Sequence, residues 1–287
     1  MDGYGICYRE HVRFRITPVR GRYEALQDQA RITWVFDIES FKVRMTRREH
    51  IDRIGYMDAR VLAIVPAYNE QDSIVSTVDD LLANAPDIDY VIVNDGSKDN
   101  TERVCCEQGY NYISLPVNLG LAGGFRTGMR YAYSHGYDYA VQFDADGQHS
   151  AAFIRSLIDK AIEDDADVVV GSRFCTQKKP ITPRMAGSVL ISTMIRLTTG
   201  AKLTDPTSGM RLFNKKMIEL FANENDFSPE PDTIAHLARG GAKISEIQVE
   251  MRERMAGESY LNLSRSITYM LRVCISILFI QWFRKKV

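Results

Sequence analysis

A layered α/β domain with a mostly parallel central sheet is predicted by three features of the sequence. Short apolar runs recur at residues 61–65 (VLAIV), 90–93, 112–115, 139–143 (YAVQF) and 168–171. Runs of this kind fit strands buried on both faces. Segments with helical apolar spacing separate them, and such alternation builds parallel sheets covered by helices on both sides. The third feature is the position of the unusual polar residues. They directly follow the apolar runs, beyond the carboxyl ends of the strands, where open α/β sheets bind ligands.

Residues 1–56 stand apart, arginine-rich and without a clean strand–turn–helix unit. They are either a poorly ordered extension or sequence upstream of a natural start at Met57. The first strand, 61–65, is broken by Pro66-Ala67-Tyr68-Asn69-Glu70, and Ile74, Val78, Leu81 and Leu82 then give residues 73–83 a helical stripe. Strand 90–93 ends in Asn94-Asp95-Gly96-Ser97, and Asp99 or Asn100 would cap a helix running to Gln108. After strand 112–115, Asn118-Leu119-Gly120 leads into a Gly-rich helix over 123–134. Its glycines lack the Lys-Ser/Thr ending of a phosphate loop, which favours close helix–sheet packing. Strand 139–143 delivers Asp144-Ala145-Asp146-Gly147-Gln148-His149, followed by a helix over 151–163 and a strand over 168–171. The alternation then loosens. A helix over 185–197 precedes the polar turn Asp205-Pro206-Thr207-Ser208-Gly209, a strand over 210–213, a helix over 231–239 and a strand over 243–249.

Strand alternation would set Asp144 and Asp146 on one side of the chain. Two hard oxygen ligands there suit Mg²⁺ or Mn²⁺ bridging to a diphosphate, with Gln148 and His149 as further ligands. The alternative for an isolated Asp-x-Asp is a solvated turn.

The chain has 287 residues, 45% hydrophobic and 25% charged, enough for one large domain with an extension. A net charge of −1 gives no field for nucleic acid. Five scattered cysteines without zinc spacing point to reduced thiols in the cytoplasm, and residues 1–20 contain no apolar core of a signal peptide. Near the C-terminus, residues 267–283 are strongly apolar but include Arg272 and Gln281. These 17 residues fall short of the roughly 20 that span a bilayer. The expectation is an amphipathic helix over 264–287 lying on the membrane, with Arg284, Lys285 and Lys286 toward anionic lipid. A helix packed on the domain or on a partner is the alternative.

Taken in order, the motifs Pro66–Glu70, Asn94–Asp99, Asn118–Gly120 with Gly128, Asp144–His149, Gly171-Ser172-Arg173, Asp205–Arg211, and Arg254 with Gly257 and Ser259 resemble family 2 glycosyltransferases of the GT-A fold. They look most like the dolichyl- and polyprenyl-phosphate sugar synthases, over about residues 60–265. The resemblance implies a transferase domain over 57–263. It implies an inverting, metal-dependent transferase using a GDP- or UDP-linked sugar at the cytoplasmic face of the membrane, with or without an integral-membrane partner. Pro66, Tyr68, Glu70, Asp95, Asp144 and Asp146 would hold the nucleotide-sugar, and Asp144, Asp146 and Gln148 the Mg²⁺ or Mn²⁺. Arg173, Arg184, Ser188, Arg211 and Arg254 would bind the acceptor phosphate. Asn94 stands where the family often has a second Asp.

Asp146, Arg173, Arg211 and Asp205 are the candidate catalytic residues. A polyprenyl phosphate is already anionic and needs positioning, which would leave Asp205 as the partner of an arginine. A saccharide hydroxyl needs a general base, and Asp205 is the candidate. A non-catalytic nucleotide-binding subunit of a membrane transferase is the alternative of another class.

Overall fold

The computed structural model of the protein describes residues 59–180, 182–252 and 263–279, without the side chains of residues 183, 184 and 263–267. The predicted extension lies outside these residues. Seven strands form one sheet: β1 (Val61–Ala67), β2 (Asp89–Asn94), β3 (Tyr112–Ser114), β4 (Tyr139–Gln142), β5 (Val168–Ser172), β6 (Arg211–Asn214) and β7 (Ile244–Gln248). Their spatial order is β3-β2-β1-β4-β6-β5-β7. All pairings are parallel except those of β6, which runs against both β4 and β5. The mostly parallel sheet is therefore as expected, with one strand reversed.

That reversal positions the site. The carboxyl ends of the parallel strands share a rim, and only an antiparallel strand brings its amino end there. Arg211 opens β6 and pairs with Gln142 on one side and Val170 on the other. The turn at 205–209 therefore meets the end of β4, where Asp144 follows.

Strand alternation splits the core into two layers. Leu62 and Ile64 of β1 face one layer, Val61, Ala63 and Val65 the other. Helices α1 (Ile74–Asn84), α2 (Thr101–Gln108) and α4 (Ile154–Asp164) cover the second layer. Helices α3 (Gly120–Ser134), α5 (Pro183–Thr199), α6 (Lys215–Asn223), α7 (Pro231–Arg239) and α8 (Leu263–Leu278) cover the first. Gly128 of α3 lies so close to β1 that a Cβ there would overlap Ile64, the close packing expected of this glycine-rich helix.

Two elements differ from the sequence reading. Helix α6 was not anticipated. Its amino end is capped by Asn214, whose Oδ1 accepts from the Met217 N–H at 3.0 Å, and it buries Met217, Ile218, Phe221 and Ala222. Helix α8 does not offer its whole apolar stripe to a membrane. Val273, Cys274 and Ile277 sit in the domain core, and the buried Ser276 hydroxyl donates to Asp232 Oδ2 of α7 at 2.6 Å. At Gly187 of α5 a Cβ would overlap Met270 of α8. The domain core thus extends past the expected boundary at residue 263. Leu271, Ile275 and Phe279 remain exposed on the opposite face. The basic end at 284–286 lies outside the described residues. No described helix is long and apolar enough to cross a membrane.

Candidate active site

The first three rim loops are tied together by their own polar groups. Asn69 Oδ1 accepts from the Lys98 N–H at 2.8 Å, and Ser97 Oγ accepts from the Asn69 N–H at 3.0 Å. Asn69 adopts φ 57°, a left-handed conformation that Asn tolerates. Glu70 N–H donates to Thr101 Oγ1 at 2.8 Å. Gly96 has φ 63°, and a Cβ there would stand 2.6 Å from the Val117 carbonyl carbon, so only glycine lets the third loop approach. Pro66 near the end of β1, and Tyr68 and Glu70 in the loop after it, are half-buried.

Asp95 is buried, and its Oδ1 accepts from the Leu119 N–H at 2.7 Å, fixing the entry to α3. Asn94, also buried, spends its amide on Ser114 Oγ and the Ser97 N–H. Its position is served by turn architecture. Asp99, not Asn100, is the capping acceptor at α2, taking the Thr101 N–H at 2.9 Å.

The Asp144–His149 loop is held from below. Thr77 of α1 donates to the Ala145 carbonyl at 3.0 Å, and Asp80 accepts from the Ala151 N–H at 2.7 Å. Arg252 spans the loop, giving its N–H to the Gln148 carbonyl and its guanidinium to Asp80. The Asp144 side chain is 33% exposed, and its Oδ1 accepts from Gln142 Nε2 at 3.0 Å. Asp146 is buried, with Oδ1 accepting the Gln148 N–H at 3.1 Å.

His149, read with Gln148 as a further metal ligand, takes another place. It is buried, and its Nδ1 accepts the Asp144 N–H at 3.1 Å. The ring proton then belongs on Nε2, which faces Asp144 Oδ2 at 3.8 Å. Two hard carboxylates on one tight loop, one of them open to solvent, fit a hard divalent cation. Among the described residues no three His, Cys, Asp or Glu side chains form an all-protein metal cage. Such an ion would complete its shell with substrate oxygens and water.

Asp205 and Arg173 form a doubly hydrogen-bonded ion pair on the rim. Arg173 Nε donates to Asp205 Oδ2 at 2.6 Å and an Nη to Oδ1 at 2.9 Å, the bidentate fork geometry. Thr207 Oγ1 donates to Oδ1 at 3.0 Å, and Asp205 is 0% exposed. Glu246 of β7 anchors the turn, accepting from the N–H groups of Thr204 and Asp205 at 2.7 and 3.0 Å. Ser208 Oγ donates to the Gly171 carbonyl at 2.6 Å. Arg173 remains 22% exposed on its outer side.

Arg211 is not where an exposed phosphate ligand would be. It is fully buried and donates to the carbonyls of Pro229 at 2.7 Å and Pro206 at 2.8 Å. The reason is the reversed strand: Arg211 lies within β6, between β4 and β5, and its side chain clamps two loops beneath the rim. Burial pulls its guanidinium below the usual arginine range, opposed by Tyr269, Asp144, Asp205 and Glu230 nearby.

Ser188 is buried in α5 and accepts from Lys179 Nζ at 3.0 Å. Arg184 lies one turn earlier in the same helix, with its side chain outside the described residues. Arg254 lies outside them altogether, as do Gly257 and Ser259. Phe174 stacks under both cations of this side, with the Arg173 guanidinium 5.1 Å and Lys179 Nζ 5.5 Å from its ring centroid.

Sequence reasoning missed Gly209, Gln142, Thr77, Asp80, Glu246 and Lys179. Gly209 packs on Asp144 so closely that a Cβ would overlap its Oδ2. Its signal was present, a glycine inside a motif that turns toward the carboxylates. Glu246 and Lys179 carry no local signal.

The glycosyl transferase family 2 model matches residues 62–221. The chain belongs to this family. An undecaprenyl-phosphate mannosyltransferase of Micrococcus luteus is 32% identical over 71% of this chain and 88% of its own length. A UDP-N-acetylglucosamine–dolichyl-phosphate N-acetylglucosaminyltransferase of Methanococcus voltae is 35% identical over 58% of this chain and 74% of its own. Glucosyl-3-phosphoglycerate synthase of Mycobacterium tuberculosis, solved with Mn²⁺, UDP and phosphoglyceric acid, shares the fold with a TM-score of 0.58. It is 17% identical over 79% of this chain and 81% of that one. This family 2 protein is a glycosyltransferase of the GT-A type, like the polyprenyl-phosphate sugar synthases.

Proposed function

We propose that this family 2 enzyme transfers a sugar, with inversion, from a nucleoside diphosphate donor to the phosphate of a polyprenyl phosphate. The reaction takes place at the cytoplasmic face of a membrane to which the protein is peripheral. The observation that carries this reading is the Arg173–Asp205 pair. With both carboxylate oxygens engaged and no exposure, Asp205 positions an arginine and takes no proton from an acceptor. A lipid phosphate is anionic already, so the site needs cations to place it rather than a base. Relatives named for dolichyl and undecaprenyl phosphate support the same acceptor.

Asp144 and Asp146, with Gln148, would hold Mg²⁺ or Mn²⁺, and such an ion would supply positive charge at the donor's diphosphate. Pro66, Tyr68, Glu70 and the loop braced by Asp95 seat the GDP or UDP moiety. Arg173, with Arg184 and Arg254, orients the acceptor phosphate for in-line attack, and the buried Ser188 holds Lys179 beside them. One acceptor P–O oxygen bonds to the anomeric carbon as the bond to the donor's diphosphate breaks. Asp205→Asn tests the role of the pair, with the pH profile of kcat for a short prenyl phosphate as readout. A raised acceptor KM with an unchanged profile supports positioning. Loss of activity that recovers only as pH rises would make Asp205 the base and return the acceptor to a hydroxyl.

A further inference from the structure

A cavity of about 330 Å³ opens beside the acceptor-side residues, between α5 and the strand-end loops. Its wall includes Lys179, Arg196 and Lys202, with Phe174, Val189 and Leu203, and no carboxylate. Val189, Ser192, Thr193 and Arg196 fall on one face of α5 at spacings of three, four and seven. Lys202 follows Gly200, whose φ of 77° ends that helix and turns the chain back. Arg196 and Lys202 are exposed and make no ion pair among the described residues. The Oγ of Ser192 is buried without a hydrogen-bond partner. Glu246 lies behind this wall, accepting from Thr204, but two unpaired exposed cations on a wall whose lining residues include Ser192 and no acid match a phosphate-bearing ligand.

The surroundings say what carries that phosphate. Val189, Leu190 and Leu197 of α5, Leu271 and Ile275 of α8 and Phe279 just after it are exposed, and the two helices pack together. Exposed large apolar side chains are therefore concentrated on this helix pair and the residue that follows α8. Apolar side chains flanking a cationic socket fit the boundary between acyl chains and headgroups. Lys179, also on the cavity wall, donates to Ser188.

We propose that this cavity is a socket for the phosphate headgroup of an anionic bilayer lipid, distinct from the acceptor, and that it docks the enzyme by its α5 face. The orientation sets the acceptor-side residues against the membrane, so it rests in part on the lipid-phosphate reading. The acceptor then reaches Arg173 without leaving the bilayer surface.

The test is the double variant Arg196→Gln/Lys202→Gln of the full chain, both positions being exposed and outside the transfer machinery. Sedimentation with phosphatidylcholine vesicles, with and without phosphatidylglycerol, reads docking. Turnover of a short, water-soluble prenyl phosphate reads the reaction site. Each cation near an anionic surface contributes roughly five-fold in partitioning, so a loss of about 25-fold on phosphatidylglycerol vesicles is expected, with soluble turnover unchanged. Unchanged vesicle binding overturns the proposal, as does a wild-type protein that ignores phosphatidylglycerol. A fall in soluble turnover that accompanies the lost binding also overturns it, because the cavity would then belong to the acceptor's own phosphate. A wild-type protein that glycosylates no prenyl phosphate refutes the proposed reaction alone, since vesicle binding still reads the socket.

Discussion

Gly209 backs the Asp144 carboxylate: a Cβ at position 209 would overlap Asp144 Oδ2 and stand 3.2 Å from His149 Cε1. Two segments 65 residues apart in sequence thus meet at one oxygen. The meeting depends on β6 running against β4. Because the obstructing atom ends a short side chain, an added methyl moves the carboxylate more cheaply than the backbone. Gly209→Ala is expected to change stability by less than about 1 kcal/mol while lowering kcat/KM at least about 100-fold. Thermal melting and steady-state kinetics check both halves. Full activity would show that Asp144 tolerates displacement.

Arg211 acts as a buried clamp, and lysine cannot replace it. One ammonium cannot reproduce the fork that serves the Pro229 and Pro206 carbonyls together. Arg211→Lys is expected to cost about 2–4 kcal/mol, through an unsatisfied buried carbonyl and a poorly solvated charge. Urea denaturation measures this. A loss below about 0.5 kcal/mol would mean the clamp contributes little.

At Gly128 two effects oppose each other. Alanine favours a helix by about 1 kcal/mol over glycine. The new methyl would overlap Ile64 in the core, and overpacking costs about 1–3 kcal/mol. The outcome expected for Gly128→Ala is net destabilisation, visible as a lower Tm. A higher Tm would show that α3 can move away from β1.

Helix α8 belongs to the core. A chain ending at residue 262 would lose Val273, Cys274 and Ile277 from the core, and the Ser276 hydroxyl from Asp232. At about 1–3 kcal/mol for each large apolar side chain, the loss is a sizeable part of a typical domain's 5–15 kcal/mol. The truncated protein is expected to aggregate or melt far below the full chain. An unchanged Tm would place α8 outside the folding unit.

Most of this architecture was legible because it is local. The apolar runs of β1, β2, β4 and β5 and the polar turns after them announce a parallel sheet and a functional rim. Asp144 and Asp146 stand out by spacing alone. What stayed hidden depends on partners distant in sequence. The direction of β6 is set by its neighbours, and so is the burial of Arg211 that follows from it. Glu246 gives no local sign that it anchors Asp205, nor Lys179 that it reaches Ser188. Helix α6 is a different case. Asn214 and the apolar positions 217, 218, 221 and 222 are a readable cap and stripe. For α8, the 267–283 stripe was legible, but one apolar face can meet lipid or protein, and only the packing on α5 and α7 separates the two.

The most direct test of the proposed reaction incubates the full-length protein in detergent with Mg²⁺ or Mn²⁺, a panel of GDP- and UDP-linked sugars and a short-chain polyprenyl phosphate. The product is read by mass spectrometry. The account predicts one lipid-linked sugar phosphate, absent from the Asp146→Ala variant. Nucleoside diphosphate released only when a saccharide is added, with no lipid-linked sugar from any donor, would contradict it.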